Sequence, residues 1–172
     1  INTGGSNLCV GVSAGQAITS GEQNTALGTG SLNSDDQGDR TVAVGTSCLY
    51  NQNIGDEISY NTAVGYYSGG ALSTAQFCTF LGYQAGMTST NSGTGDGNTA
   101  IGYVSGSALT SGGYNTLLGW GAGDLITTGN NNTCIGTDTG SVVANLISGN
   151  YNVLLGSDTR VTSVDNAIVI GH

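Results

Sequence analysis

An aromatic residue directly follows a glycine at four regularly spaced places in the chain. The four are Tyr66, Tyr83, Tyr103 and Trp120, with intervals of 17, 20 and 17 residues. If each interval is one turn of a coiled chain, consecutive rings lie about 5 Å apart and form a stripe. The stripe predicts either a contact surface for a glycan or another receptor, or an aromatic ladder that stabilises the coil or a subunit contact.

Carboxylates are the other side chains whose placement suggests chemistry. Asp138 and Asp158 each stand two residues after a repeated glycine, and a carboxylate pair in a groove is what polysaccharide hydrolysis uses. A second acidic group is a candidate calcium site, because calcium prefers oxygen ligands. Its spacing matches no calcium loop, so solvated turns are the simpler interpretation; its members are Glu22, Asp35, Asp36, Asp39, Asp56 and Glu57.

Other catalytic arrangements find little support in the sequence. The one histidine, His172, is terminal, and no G-x-S-x-G segment occurs. The glycines are not followed by a helix, as a phosphate-binding loop would require. We therefore expect no enzymatic activity, no metal site and no cofactor, with calcium binding and a tailspike-like polysaccharide hydrolase as open alternatives.

The four cysteines are predicted to be small buried residues. They are Cys9, Cys48, Cys78 and Cys134, and each lies in a different repeat with no CxxC pair. At the strand spacing of a stacked repeat, Cys9 and Cys48 would be about 10 Å apart, which is too far for a disulfide.

All of these residues lie in a repeat that runs through the whole chain. Its motif is Asn-Thr-Ala-aliphatic-Gly, as in Asn61–Gly65 and Asn98–Gly102, and the motif glycines recur mostly every 17 or 20 residues. A fixed period of this size predicts a solenoid. With 31 glycines, no proline and 8% charged residues, an ordered β-structure with glycine turns is favoured over helices or disorder.

We predict an all-β fold, a parallel β-solenoid (β-roll or β-helix) of about ten coils of 17–20 residues. Residues 1–172 are expected to form a single solenoid domain and a fragment of a longer fibre. Each coil is expected to hold two short strands and two turns, the second strand ending at residues such as Ile18, Leu72, Leu109 or Ile126.

The side chains of each motif strand should alternate between two faces. The residue before each motif glycine is a branched aliphatic in every copy, so this column and the one two residues earlier are predicted to face the coil interior. The column between them is also apolar, and an outer face of that kind predicts burial against identical chains. The predicted subunit interface is Ala26, Ala43, Ala63, Phe80, Ala100, Leu117 and Leu154.

A column of asparagines precedes these strands. Seven copies carry Asn four residues before the motif glycine: Asn7, Asn24, Asn61, Asn98, Asn115, Asn132 and Asn152. Amides in register can bond from coil to coil, so this column predicts a structural ladder.

The net charge of −9 excludes several partners. Nucleic acid and anionic membranes both attract basic proteins, and the chain has only Arg40 and Arg160 as basic side chains. No apolar run is long enough to insert into a bilayer. We expect neither nucleic-acid binding nor membrane insertion.

With its columns aligned, the chain resembles the head repeats of trimeric autotransporter adhesins. It resembles more closely the N-T-A-Φ-G-Y-x-A-G repeats of bacteriophage and other viral tail-fibre proteins, best at 61–70 and 98–106. The resemblance implies a homotrimer of parallel β-rolls, located in a virion fibre or on a cell surface. The expected function is a structural or adhesive rod joined to adjoining fibre segments, with a possible receptor or glycan surface for host attachment.

Ice binding is a further alternative, because Thr62, Thr79, Thr99, Thr116 and Thr133 form a row. Leu8, Val42, Val153 and Ile168 occupy the same column and indicate a core position instead.

Overall fold

The computed structural model of the chain describes residues 4–88, 93–140, 148–160 and 165–171. It is a parallel β-solenoid in which every motif copy contributes one strand of three residues. The strands are β1 Leu8–Val10, β2 Thr25–Leu27, β3 Val42–Val44, β4 Thr62–Val64, β5 Thr79–Leu81, β6 Thr99–Ile101, β7 Thr116–Leu118, β8 Thr133–Ile135, β9 Val153–Leu155 and β10 Ile168–Ile170. The described residues contain no helix, and hence none that could cross a membrane.

The ten strands form one parallel sheet in chain order. Equivalent positions of the repeat pair with each other, so that Ala63 lies beside Phe80 and Ala100 lies beside Leu117. Ten strands in this order correspond to about nine turns of the solenoid. The all-β parallel solenoid predicted from the repeat is confirmed.

The second strand predicted in each coil is absent from the described residues. The far side of the coil is irregular, with isolated bridges such as Leu72 to Gly93 in place of a strand. The reason is local, since the turn after each strand passes through left-handed residues such as Gly69 (φ 60°) and Gly106 (φ 61°). Ile18, Leu72, Leu109 and Ile126 are nevertheless buried and form this side of the core.

The assignment of the two strand faces was wrong. The middle column lies inside the coil, and the residues predicted as a subunit interface are all buried within the single chain: Ala26, Ala43, Ala63, Phe80, Ala100, Leu117 and Leu154. No residue is buried in the two flanking columns, which contain Thr62 and Val64 in β4. A side chain enclosed by its own coil cannot contact another subunit, so these seven residues do not form the interface.

The size of the middle residues fits this orientation. One strand faces one irregular segment, and in six of the ten strands the middle residue is alanine or cysteine. Where the middle residue is large, neighbouring glycines make space: a Cβ on Gly86 would lie 2.5 Å from the Phe80 ring, and one on Gly69 would lie 3.0 Å from it. The branched aliphatics that precede the motif glycines therefore point outward.

The motif glycine is required by the stacking of the coils. At Gly102, φ is +134° and a Cβ would lie 2.2 Å from the carbonyl oxygen of Gly119 in the next coil. Both the backbone conformation and the lack of space exclude a side chain there. This contact explains why glycine ends every copy of the motif.

The predicted asparagine ladder is confirmed, and each amide bridges two coils. Asn115 is typical: its Oδ1 accepts the backbone N–H of Asn132 at 2.9 Å, and its Nδ2 donates to the carbonyl of Gly129 at 2.9 Å. Amide-to-amide bonds occur as well, such as that from Asn132 Nδ2 to Asn115 Oδ1 at 3.1 Å. The buried amides thus satisfy backbone groups of the adjoining turn.

Candidate interaction surface

The outer face of the sheet is uncharged along its whole length. Its two columns contain fourteen aliphatic residues and six threonines, and none of these twenty side chains is buried. The best exposed aliphatics in the middle of the rod are Leu81 (46%) and Leu118 (43%). At about 4.8 Å per strand, the face is about 45 Å long. An apolar stripe of this length on a single chain is typical of an interaction surface.

The aromatic stripe borders this face where the strands end, and it is a continuous ladder of stacked rings. Centroid distances are 5.4 Å from Tyr66 to Tyr83, 5.1 Å from Tyr83 to Tyr103 and 5.8 Å from Tyr103 to Trp120. The interplanar angles are 11°, 8° and 5°. Parallel rings this close must overlap face to face with an offset. Each inner ring therefore has its faces covered by its neighbours.

A second aromatic column borders the other side of the face, and the sequence reasoning missed it. Each of its residues directly precedes the asparagine-column position of its coil and has a left-handed backbone conformation, with φ between 49° and 61°. The residues are Tyr60, Phe77, Tyr114 and Tyr151. Tyr60 stacks on Phe77 at 5.8 Å, and the Arg40 guanidinium lies 5.8 Å from the Tyr60 ring centroid. The column can be found in the sequence if the repeat copies are aligned on the asparagine column, because four of the copies have an aromatic residue at the preceding position.

One column of the acidic turns accepts hydrogen bonds from backbone N–H groups of the preceding coil. Asp39 Oδ1 accepts the backbone N–H of Glu22 at 2.6 Å, and Asp96 Oδ1 accepts that of Gln76 at 2.8 Å. Asn130, Asn150 and Asp165 continue the same column with bonds of 2.7–2.9 Å to the preceding coil. The oxygens of this second ladder accept hydrogen bonds from N–H groups of the preceding coil. The asparagine ladder has the opposite direction, because its oxygens accept hydrogen bonds from N–H groups of the following coil.

The remaining members of the acidic group do not converge on a common point. Glu57 accepts a hydrogen bond from Gln76 Nε2, and Asp36 accepts one from Gln37 Nε2. Within the described ranges, no group of three or more acidic, histidine or cysteine side chains is placed to hold a metal ion. Calcium binding stays a prediction without a defined ligand set.

Asp35 is the one acidic side chain enclosed by the coil. Gln52 Nε2 donates to it at 2.6 Å and the Gly38 N–H donates at 3.1 Å, while Gln52 also bonds to Thr41 and Asn61. Desolvation by burial raises the pKa of Asp35, and these donors act in the opposite direction. The cluster is a satisfied polar network inside the early coils.

Asp138 and Asp158 occupy equivalent places in adjacent coils, as the spacing predicts. Both have left-handed backbone, and their N–H groups bond to the carbonyls of Trp120 at 2.8 Å and Thr137 at 2.9 Å. Both are half-buried. Hydrolysis by this pair stays a prediction, and His172 lies outside the described residues.

Three of the four cysteines are buried, as predicted, and all four thiols are free. Desolvation raises the pKa of Cys48, Cys78 and Cys134 to about 12, so these thiols are protonated and inert at neutral pH. Cys9 is exposed because it lies in the end strand β1, which a coil covers on one side only.

Comparison of the chain with protein-family models, curated proteins and solved structures found no match.

Proposed function

We propose that the chain is a segment of a homotrimeric surface fibre, of the viral tail-fibre or adhesin type, located in a virion or on a cell surface. In this proposal the solenoid is a stiff rod between adjoining fibre segments, and it carries a surface for host attachment. No catalysis is part of the role. The observation that supports the proposal is the uncharged outer face of the sheet.

A second copy of this chain is the occupant that best fits the face. The two columns form a stripe about 45 Å long and about 10 Å wide, which is on the order of 450 Å² and within the range of functional patches. The stripe follows the rod, so parallel chains around one axis can bury it at every coil, including residues such as Leu81, Leu118 and Ile135. The proposed interface thus replaces the column predicted from the sequence.

The continuous aromatic ladder lies next to the aliphatic column, separated from it by the motif glycine. Stacked rings in this position are suited to stiffening the coil and to bordering a subunit contact. Contact of Tyr66, Tyr83, Tyr103 or Trp120 with a glycan stays a prediction, since only the outer faces of the two terminal rings lack a neighbour within the ladder.

The mass of the native particle tests the trimer. Light scattering coupled to size exclusion is expected to give three times the chain mass of 17.1 kDa. Replacing Leu81 and Leu118 together by Glu places two charges on the proposed interface and is expected to dissociate the particle. Ser111→Glu, at an exposed site outside the two columns, should leave the mass unchanged. A monomeric wild-type chain at micromolar concentration would refute the proposal.

Ice binding is the second candidate, and one observation favours it. Thr62, Thr79, Thr99, Thr116 and Thr133 occupy one outward column in five consecutive strands, in the place where an ice-binding face would present them. The expectation that this column is core was wrong. Thermal hysteresis that persists in Ser111→Glu and disappears in Thr99→Leu/Thr116→Leu would support this function, and its absence in the wild-type chain would exclude it.

A further inference from the structure

The second aromatic column differs from the continuous ladder because it is interrupted. Along the rod it reads Tyr60, Phe77, Gly97, Tyr114, Asn131, Tyr151. Tyr60 and Phe77 cover each other, whereas Tyr114 and Tyr151 each stand between column neighbours that are not aromatic. They are the most exposed large aromatics of the described residues, at 64% and 61%. Of the aromatic side chains described, these two therefore offer a ligand the largest exposed fraction.

The position of Tyr114 is defined by its contact with the preceding coil. A Cβ on Gly97 would lie 2.7 Å from a ring carbon of Tyr114, so the tyrosine leans over the glycine. One side of the ring is thus packed against backbone. The other side of the ring faces the following coils, where Asn131 and Tyr151 occupy the same column.

The backbone spacing of the two tyrosines leaves room for one sugar ring. The tyrosine backbones are two coils apart, which is about 9.6 Å along the sheet. A ring placed between two aromatic faces needs about 3.5–4.0 Å on each side. Asn131 lies in the coil between them, with its side chain exposed and its backbone fixed by a 3.0 Å bond from its N–H to Gly113 O. The notch therefore combines two apolar walls with one amide.

We propose that the notch formed by Tyr114, Asn131 and Tyr151 binds a neutral hexopyranose unit of a surface glycan. A hexopyranose with equatorial hydroxyls, such as glucose, presents C–H groups on both faces and hydroxyls on its rim, which matches two ring walls and one amide; mannose and galactose each carry one axial hydroxyl and keep one such face. The net charge of −9 disfavours an acidic sugar. This inference rests on the proposed function as a surface fibre and names its ligand class.

The notch borders the proposed subunit interface on its threonine side. Tyr114 precedes Thr116 by two residues, just as Trp120 follows Leu118 by two on the aliphatic side. The notch residues are not members of the two columns, so a trimer that buries those columns leaves the notch at the rim of the contact. Binding and assembly use different residues and can be tested separately.

The test measures binding of the full chain to four neutral oligosaccharides, namely cello-, malto-, manno- and galactohexaose, with an oligogalacturonate as the acidic probe. Calorimetry or saturation-transfer NMR is expected to detect at least one neutral hexaose and not the acidic one. Asn131→Tyr fills the notch and completes a stack, and the column already accepts tyrosine at φ 49–59°. This variant should keep or gain thermal stability and lose binding by tenfold or more.

Tyr114→Ala/Tyr151→Ala is expected to lose binding to the same extent, while Tyr83→Ala in the continuous ladder serves as the matched control and should retain it. Equal binding by wild type and Asn131→Tyr would overturn the inference, as would failure of all four neutral probes or preference for the acidic one. Native mass, measured on the same samples, separates this result from the fibre proposal: a trimer without sugar binding refutes only the notch, and a monomer with sugar binding refutes only the fibre.

Discussion

At the scale of the residue, the buried asparagines are the main polar element of the solenoid. Each amide accepts a hydrogen bond from one backbone N–H and donates one to a backbone carbonyl of the adjoining turn, in place of water. A buried backbone group without a hydrogen-bond partner lowers the stability of the fold. Where the column lacks asparagine, neighbouring groups substitute. The N–H of Asn61 bonds to Ser59 Oγ at 3.0 Å, because Thr41 in the preceding coil has no amide to offer. Cys78 directs its Sγ toward Gly95 O at 3.6 Å.

Asn115→Ala should therefore destabilise the protein by roughly 2–5 kcal/mol, since it leaves the Asn132 N–H and the Gly129 carbonyl buried without their partner. Chemical denaturation measures the change. Asn33→Ala is the matched control: its amide makes two longer bonds at an exposed site, of 3.2 and 3.3 Å, and its loss should cost less than about 0.5 kcal/mol. Equal effects of the two variants would contradict the ladder's role.

The sequence contains enough information to predict which side chains of each strand face inward. Asn61 and Ala63 are two residues apart, so they share a face of the strand. If the asparagine ladder is assigned to the coil interior, where its amides satisfy buried backbone groups, Ala63 lies inside and Val64 lies outside. Equating branched aliphatics with the core led to the opposite conclusion, because all three columns lack charge and hydrophobicity alone does not separate the faces.

At the scale of the element, the strand ends where the chain must turn without a side chain. Gly102 has a backbone conformation that other residues avoid, and its α-carbon faces the Gly119 carbonyl. The repeat spacing predicted the ten strands correctly, since periodicity is a property of the sequence. The second strand could not be predicted reliably, because short apolar runs such as those around Leu72 and Leu109 are compatible with a strand or with a buried irregular segment.

Gly102→Ala is expected to cost roughly 3–5 kcal/mol, because the added Cβ adds a steric clash to backbone strain. Gly55→Ala separates the two effects: Gly55 has φ +71° but nothing within 4 Å of the added carbon, so strain alone should cost about 1–2 kcal/mol. Thermal or chemical denaturation of both variants gives the difference. A smaller loss for Gly102→Ala than for Gly55→Ala would show that coil stacking does not depend on this contact.

At the scale of the whole molecule, the solenoid separates its chemistry by face. Amide ladders and small apolar residues lie inside, an uncharged sheet face lies outside, and two aromatic columns border that face. The repeat and the continuous ring ladder were predictable from spacing. The interrupted aromatic column and the outward aliphatic face were recognised only from the backbone geometry, because they depend on the side of a three-residue strand to which each side chain points.

The proposed trimer depends on that orientation, and disulfide trapping tests it most directly. In a Cys9→Ser background, Leu118→Cys and Leu117→Cys place a thiol in adjacent positions of the same strand, on opposite faces. Around a common axis, the outward thiols at position 118 meet those of the other chains. Under mild oxidation, Leu118→Cys should give covalently linked chain pairs on a non-reducing gel, whereas Leu117→Cys, enclosed by its own coil, should give none. Linkage through position 117, or none through position 118, would contradict the account.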